Sequence, residues 1–163
     1  MSIKRISPEE AKELLDSDES CIYLDVRTVA EFEAGHVPGA KNIPVLDRDP
    51  YGRMQPNYRF VEVVEANFGK GAKCITGCQK GGRSMQAASQ LLNAGFTSVV
   101  DMRGGMGGET DPMGQPTYPG WAARGLTVTT ESAPEDEYGH LLDKAGSTGR
   151  TGSRLRTFRN NLP

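Results

Sequence analysis

The run Cys21-Ile22-Tyr23-Leu24-Asp25-Val26 limits the possible folds more than any other part of the chain. It is apolar at nearly every position, whereas a strand with one wet face alternates. It therefore reads as a strand covered on both faces, as in a parallel sheet with helices above and below. The neighbouring segments agree. Ile3 to Ile6 reads as a short first strand, and Ser7-Pro8-Glu9-Glu10 as a helix start. Ser7 can cap, Pro8 fits the first turn, and Glu10 can reach back. Ala11, Leu14 and Leu15 supply the inward stripe of that helix.

The alternation continues along the chain. Thr28-Val29-Ala30-Glu31 repeats the capping pattern and opens a short helix that runs to Gly35. Pro38, Gly39 and Pro44 leave room only for a brief strand near Ala40 to Ile43. Asp47 to Asn57 reads as a polar loop. Tyr58 to Phe68 reads as a helix with Phe60, Val61, Val64 and Phe68 on one face. Lys73 to Thr76 is the next strand, Gly77 to Arg83 a turn, Ser84 to Asn93 a helix, and Ser98 to Met102 the last strand. This order predicts an α/β sandwich, with a mainly parallel sheet between helices on both faces.

With 163 residues, the chain is expected to be one domain over residues 1–130 followed by a polar, flexible tail over 131–163. Within the domain, Met106 to Gly120 carries four glycines and three prolines and reads as a long irregular loop. It follows a strand's carboxyl end, so it is also weighed as a lid over whatever site lies there. A net charge of −2 gives no case for nucleic acid or an anionic membrane as partner. No apolar run reaches membrane-helix or signal-peptide length, so the cytoplasm is the expected location. Three cysteines, Cys21, Cys74 and Cys78, do not suit a disulfide framework. With only His36 and His140 beside them, no metal site or other cofactor is expected.

The chemistry concentrates in Cys78-Gln79-Lys80-Gly81-Gly82-Arg83-Ser84. A cysteine ends a strand, an arginine follows five residues later, and a helix begins at once. Gly81 and Gly82 let the backbone curl so that its N–H groups point inward. The helix start, Lys80 and Arg83 add positive charge. Such surroundings favour a thiolate and attract a small anion. Cys74, inside the strand, reads as a core thiol, and Cys21 likewise. Glu31 reads as a helix cap, and His36 as a structural residue.

These residues carry a resemblance. Cys78 to Ser84 resembles the active-site loop of rhodaneses. Leu24-Asp25-Val26-Arg27, Glu31-Phe32, Gly35-His36-Val37-Pro38-Gly39-Ala40 and Asn42-Ile43-Pro44 resemble that family's N-terminal signature. Ala94-Gly95-Phe96 and Gly104-Gly105 resemble its later landmarks. The match covers roughly residues 3 to 128 and is similar to the single-domain plant and bacterial type. The resemblance implies a rhodanese-like fold and a thiosulfate sulfurtransferase in which Cys78 carries the sulfur as a persulfide. Gln79, Lys80, Gly81, Gly82, Arg83 and Ser84 would form the substrate loop, and Asp25 and Arg27 an ion-pair scaffold behind it. Its implied partners are thiosulfate as donor and a thiol or cyanide as acceptor, with a protein that hands sulfur over as a further candidate. A persulfide relay and a binding module without turnover are the alternatives. A phosphatase or arsenate reductase is disfavoured, because those relatives carry one more residue between Cys and Arg. The family usually runs from the Gly-Gly pair to a Trp within a few residues, whereas here Met106 to Gly120 stands before Trp121.

Overall fold

A computed structural model describes residues 2–146. Its centre is a five-stranded, all-parallel sheet in the order β1-β7-β6-β2-β3. The strands are β1 (Arg5–Ile6), β2 (Ile22–Asp25), β3 (Lys41–Asn42), β6 (Lys73–Gly77) and β7 (Ser98–Met102). The central strand, β6, pairs Ile75 with Tyr23 on β2 and with Val100 on β7. Helices α1 (Pro8–Ser17), α2 (Val29–Ala34), α3 (Phe60–Asn67), α4 (Gly82–Asn93) and α5 (Tyr138–Ala145) complete the regular core elements.

Each face of the sheet has its own apolar cluster. On one face Leu24, Ile43, Phe60, Val64, Ala87, Leu91 and Leu141 pack together, drawn from the sheet, α3, α4 and α5. On the other, Ile6, Ala11, Tyr23, Phe32, Ile75 and Trp121 do so, with α1 and α2. The expected layering of a parallel sheet between helices is therefore what the chain adopts. Both predicted capping boxes form. The Ser7 hydroxyl accepts from Glu10 N–H while Glu10 accepts from Ser7 N–H, and Thr28 and Glu31 do the same. These exchanges satisfy helix-end donors locally, which is why the two starts were readable from four residues each.

Three expectations need correction. The polar stretch after β3 is a hairpin, with β4 (Leu46–Arg48) paired to β5 (Met54–Pro56). The insert at 106–120 holds another, β8 (Glu109–Thr110) against β9 (Pro116–Tyr118). The tail expected to be flexible from residue 131 instead folds onto the domain as far as residue 146. There, Pro134–Asp136 is a 3₁₀ turn and α5 follows. Leu141 is buried, and its carbonyl accepts from Asn67 Nδ2 at 2.8 Å. Arg59 Nη2 donates to the Gly146 carbonyl at 2.6 Å, and Lys41 pairs with Asp136. Tyr138, Leu141, Leu142 and Ala145 of α5 pack against the cluster that holds Phe60, Val63 and Val64 of α3, enough apolar surface to order this short helix. The rest of the expected tail, 147–163, lies outside the described residues.

Candidate active site

Ligands of parallel α/β sheets bind beyond the carboxyl ends of the strands. Cys78 stands there, one residue past the end of the central strand β6 and just before α4. Its side chain is 1% exposed. The sulfur accepts the Gly81 N–H at 3.0 Å and the Ser84 N–H at 3.3 Å, and the Ser84 hydroxyl lies 3.4 Å away. Gly81 sits at φ +118, a conformation that side chains resist, and this turns its N–H onto the sulfur. The arrangement is a small anion cradle made of backbone. Above it opens a pocket of about 310 Å³ lined by Cys78, Gln79, Lys80, Gly82 and Arg83.

The loop keeps this shape because its outward carbonyls are also held. Met106 N–H donates to the Cys78 carbonyl at 2.9 Å, and Gly107 N–H to the Gln79 carbonyl at 2.8 Å. The bracing turn must come close. A Cβ on Gly105, at φ +60, would stand 2.3 Å from the Cys78 carbonyl oxygen. The Gly104-Gly105 landmark thus has a physical reason, and it concerns the loop. The insert's first residues brace the loop from behind, and the residues lining the pocket come from the loop itself.

The charged residues divide their work. Arg83 lines the pocket with Cys78, and its guanidinium is held by a carboxylate. It turns to Glu31, with Nη1–Oε1 at 2.7 Å and Nη2–Oε2 at 2.9 Å. Glu31 Oε1 also accepts from Thr28 N–H at 3.1 Å, so one carboxylate caps α2 and ties it to the start of α4. The Arg83 guanidinium holds the Glu31 carboxyl down at about 2. Lys80 is exposed and makes no ion pair among the described residues, so it is the pocket's free cation. Asp25 and Arg27 form a buried ion pair at 2.8 Å. Arg27 Nη1 donates to Gln79 Oε1 at 3.0 Å and its Nη2 to the Gly35 carbonyl at 2.7 Å. The pair therefore fixes the Gln79 side chain at the pocket wall. Of the residues singled out from sequence, Cys78 to Ser84 form the loop itself, and Asp25 and Arg27 stand behind it.

Other residues take places that sequence reading left open. His36 is buried, stacks on Phe32 at 3.8 Å, and meets the Phe32 and Glu131 carbonyls through its two nitrogens. It is a structural residue. Cys74 is buried in the apolar cluster, while Cys21 is only half-buried. The Tyr23 hydroxyl fills the space where a side chain on residue 77 would go. A Cβ there would stand 1.8 Å from it, so residue 77 must be glycine. Sequence reading missed the second duty of Glu31. It also missed Asp101, whose only sign was a lone acid in the apolar strand Val99-Val100-Asp101-Met102.

Comparison with known proteins agrees with this geometry. Residues 7–108 match the model of the rhodanese-like domain. The chain is 45% identical over 104 residues to thiosulfate sulfurtransferase 16, chloroplastic, of Arabidopsis thaliana, covering 64% of this chain and 76% of that protein. It is 34% identical over 128 residues to thiosulfate sulfurtransferase 18 of the same plant, covering 77% and 83%. The crystal structure of Rv0390 from M. tuberculosis shares the fold, with a TM-score of 0.67 at 24% identity over 80% of this chain and all of that one. A cysteine cradled at the centre of a five-stranded parallel sheet, a Gly-Gly brace behind it and a family match over these same residues lead to one statement: the chain belongs to the rhodanese-like family.

Proposed function

We propose that this chain is a sulfurtransferase that carries sulfane sulfur on Cys78. One observation carries the reading: a buried sulfur at the floor of an open pocket receives two backbone N–H groups and faces a free lysine. Backbone donors fixed in this way stabilise negative charge on sulfur without reorganising. Thiosulfate, a small dianion, suits the pocket. The Cys78 thiolate attacks its outer sulfur, the S–S bond of the donor breaks, and sulfite leaves with the bonding pair. Cys78 then holds a persulfide. An acceptor, cyanide or a thiolate, attacks the outer sulfur, and Cys78 departs as thiolate. Lys80 attracts the anion, and Gln79, set by Arg27, shapes the wall.

Such a double displacement requires ping-pong kinetics. Initial rates measured at several fixed cyanide concentrations while thiosulfate varies should give parallel double-reciprocal lines. Lines that converge would mean that both substrates bind together, and the persulfide route would fail. Residues 1–130 would suffice for the chemistry only if the packing of α5 could be spared, and the contacts of Leu141 argue that it cannot.

A further inference from the structure

Gln79 stands half-buried in the wall of the Cys78 pocket, and its amide is not free to turn. Its Oε1 accepts from Arg27 Nη1 at 3.0 Å. A guanidinium has N–H donors and no acceptor, so the amide edge facing Arg27 must be oxygen and the opposite edge must be NH2. Arg27 is itself held in place. It is 4% exposed, its Nε and Nη2 donate to the Asp25 carboxylate at 3.0 and 2.8 Å, and Nη2 also donates to the Gly35 carbonyl at 2.7 Å. A chain of hydrogen bonds thus runs from the buried Asp25 through Arg27 to the pocket wall. It ends at Gln79 Nε2, which meets no protein acceptor among the described residues.

Gly107 supplies a second, independent observation. Its φ is not left-handed, so its own backbone does not call for glycine. A Cβ there would nevertheless stand 2.5 Å from Gln79 Nε2. The absent side chain keeps room for the donor edge of the amide in the orientation that Arg27 sets.

We propose that Gln79 determines donor specificity: its fixed amide N–H takes a sulfonyl oxygen, so the site prefers sulfane donors that carry a sulfonate or sulfonyl group over oxygen-free persulfides. The inference rests on the sulfurtransferase reading and names the donor class for that same site. With the outer sulfur of thiosulfate against Cys78 Sγ, its oxygens trail towards the pocket, where Lys80 supplies charge and Gln79 a directed hydrogen bond. A donor group already fixed in place loses little rotamer freedom on binding. Glutathione persulfide can load the same thiolate. Cys78 attacks its outer sulfur, the S–S bond breaks, and the glutathione thiolate leaves with the bonding pair. It brings no oxygen next to the reacting sulfur, so Gln79 gives it nothing. Asp25 and Arg27 act only through Gln79 and are positioning residues.

The test compares two donors on one cysteine. Loading of the full-length protein by thiosulfate and by glutathione persulfide is followed by intact mass, with Cys78→Ser as the background, and the ratio of the two rates is read. Gln79→Leu should lower that ratio about tenfold, the scale of one hydrogen bond to an anion. Gln79→Glu still accepts from Arg27 but presents an acceptor to the pocket, and should lower the ratio further. Arg27→Lys loses the planar fork and should lower it in the same direction. An unmoved ratio in a folded Gln79→Leu protein, with both rates falling together, would overturn the proposal, because general damage to the loop acts on both donors. Should Gln79→Leu fail to fold, Gly107→Ala pushes the amide aside and should also lower the ratio; no change would overturn the proposal. If neither donor loads the parent, the sulfurtransferase reading fails by itself. The amide is then read through sulfite, which should slow iodoacetamide alkylation of the parent's Cys78 at about tenfold lower concentration than in Gln79→Leu. Equal protection would overturn the inference.

Discussion

Cys74 and Cys78 lie four residues apart on one strand and its end, and both are buried, at 2% and 1% exposure. Yet they are opposite chemical environments. Cys74 points into the cluster of Leu24, Phe60, Val64 and Leu91, and no hydrogen bond reaches its sulfur among the described residues. Burial pushes its thiol up to about 11. Cys78, one residue past the strand, has the Gly81 and Ser84 N–H groups turned onto it and a pocket above. The comparison teaches that burial alone makes a cysteine inert. Backbone donors can reach a sulfur only where the ladder ends, because inside it each N–H is already engaged.

The largest test exchanges the two. Cys78→Ser should reduce turnover to background, whereas Cys74→Ser should keep it within about twofold, with a modest loss of stability. Equal losses in steady-state turnover would erase the distinction. A smaller effect separates the donors from the cysteine itself. Gly105→Ala would drive a methyl into the Cys78 carbonyl and force φ from +60. Turnover should fall about tenfold to a hundredfold while circular dichroism stays native, the scale expected for disturbing one or two fixed donors. A turnover like the parent's would show that the brace does not shape the cradle.

The smallest effect concerns the Arg83 end of the loop. Glu31→Gln should cost about 1 kcal/mol, since the pair is half-exposed and the cap is partly kept. Its pH dependence has a definite sign. The Glu31 carboxyl sits at about 2 in the fold against an ordinary 4.5. Its contribution is therefore complete above about 4.5 and is lost as pH falls towards 2. Melting curves of parent and variant should differ by a constant amount above pH 4.5 and converge below it. A gap that widened in acid would place the cause elsewhere.

Most of the site was legible because its signals are local. The two capping boxes, the Gly81 turn and the order of Cys78 and Arg83 each occupy a few consecutive residues. What was missed depends on distance. Glu31 looked like a cap because a carboxylate has two oxygens, and only the fold shows that Arg83, 52 residues away, binds both. The two hairpins were read as loops because their strands are only two or three residues long, too short for any period. Helix α5 was hidden by composition. Its stripe of Tyr138, Leu141, Leu142 and Ala145 is real, but the Gly, Ser and charged residues around it dilute it below notice.

The central claim, that the cradle at the strand end and not mere burial selects the sulfur carrier, is tested most directly by intact mass. The parent, Cys74→Ser and Cys78→Ser proteins are incubated with thiosulfate and weighed before and after adding cyanide. The account predicts one added sulfur atom on the parent and on Cys74→Ser, removed by cyanide, and none on Cys78→Ser. Sulfur retained by Cys78→Ser, or lost with Cys74→Ser, would contradict it.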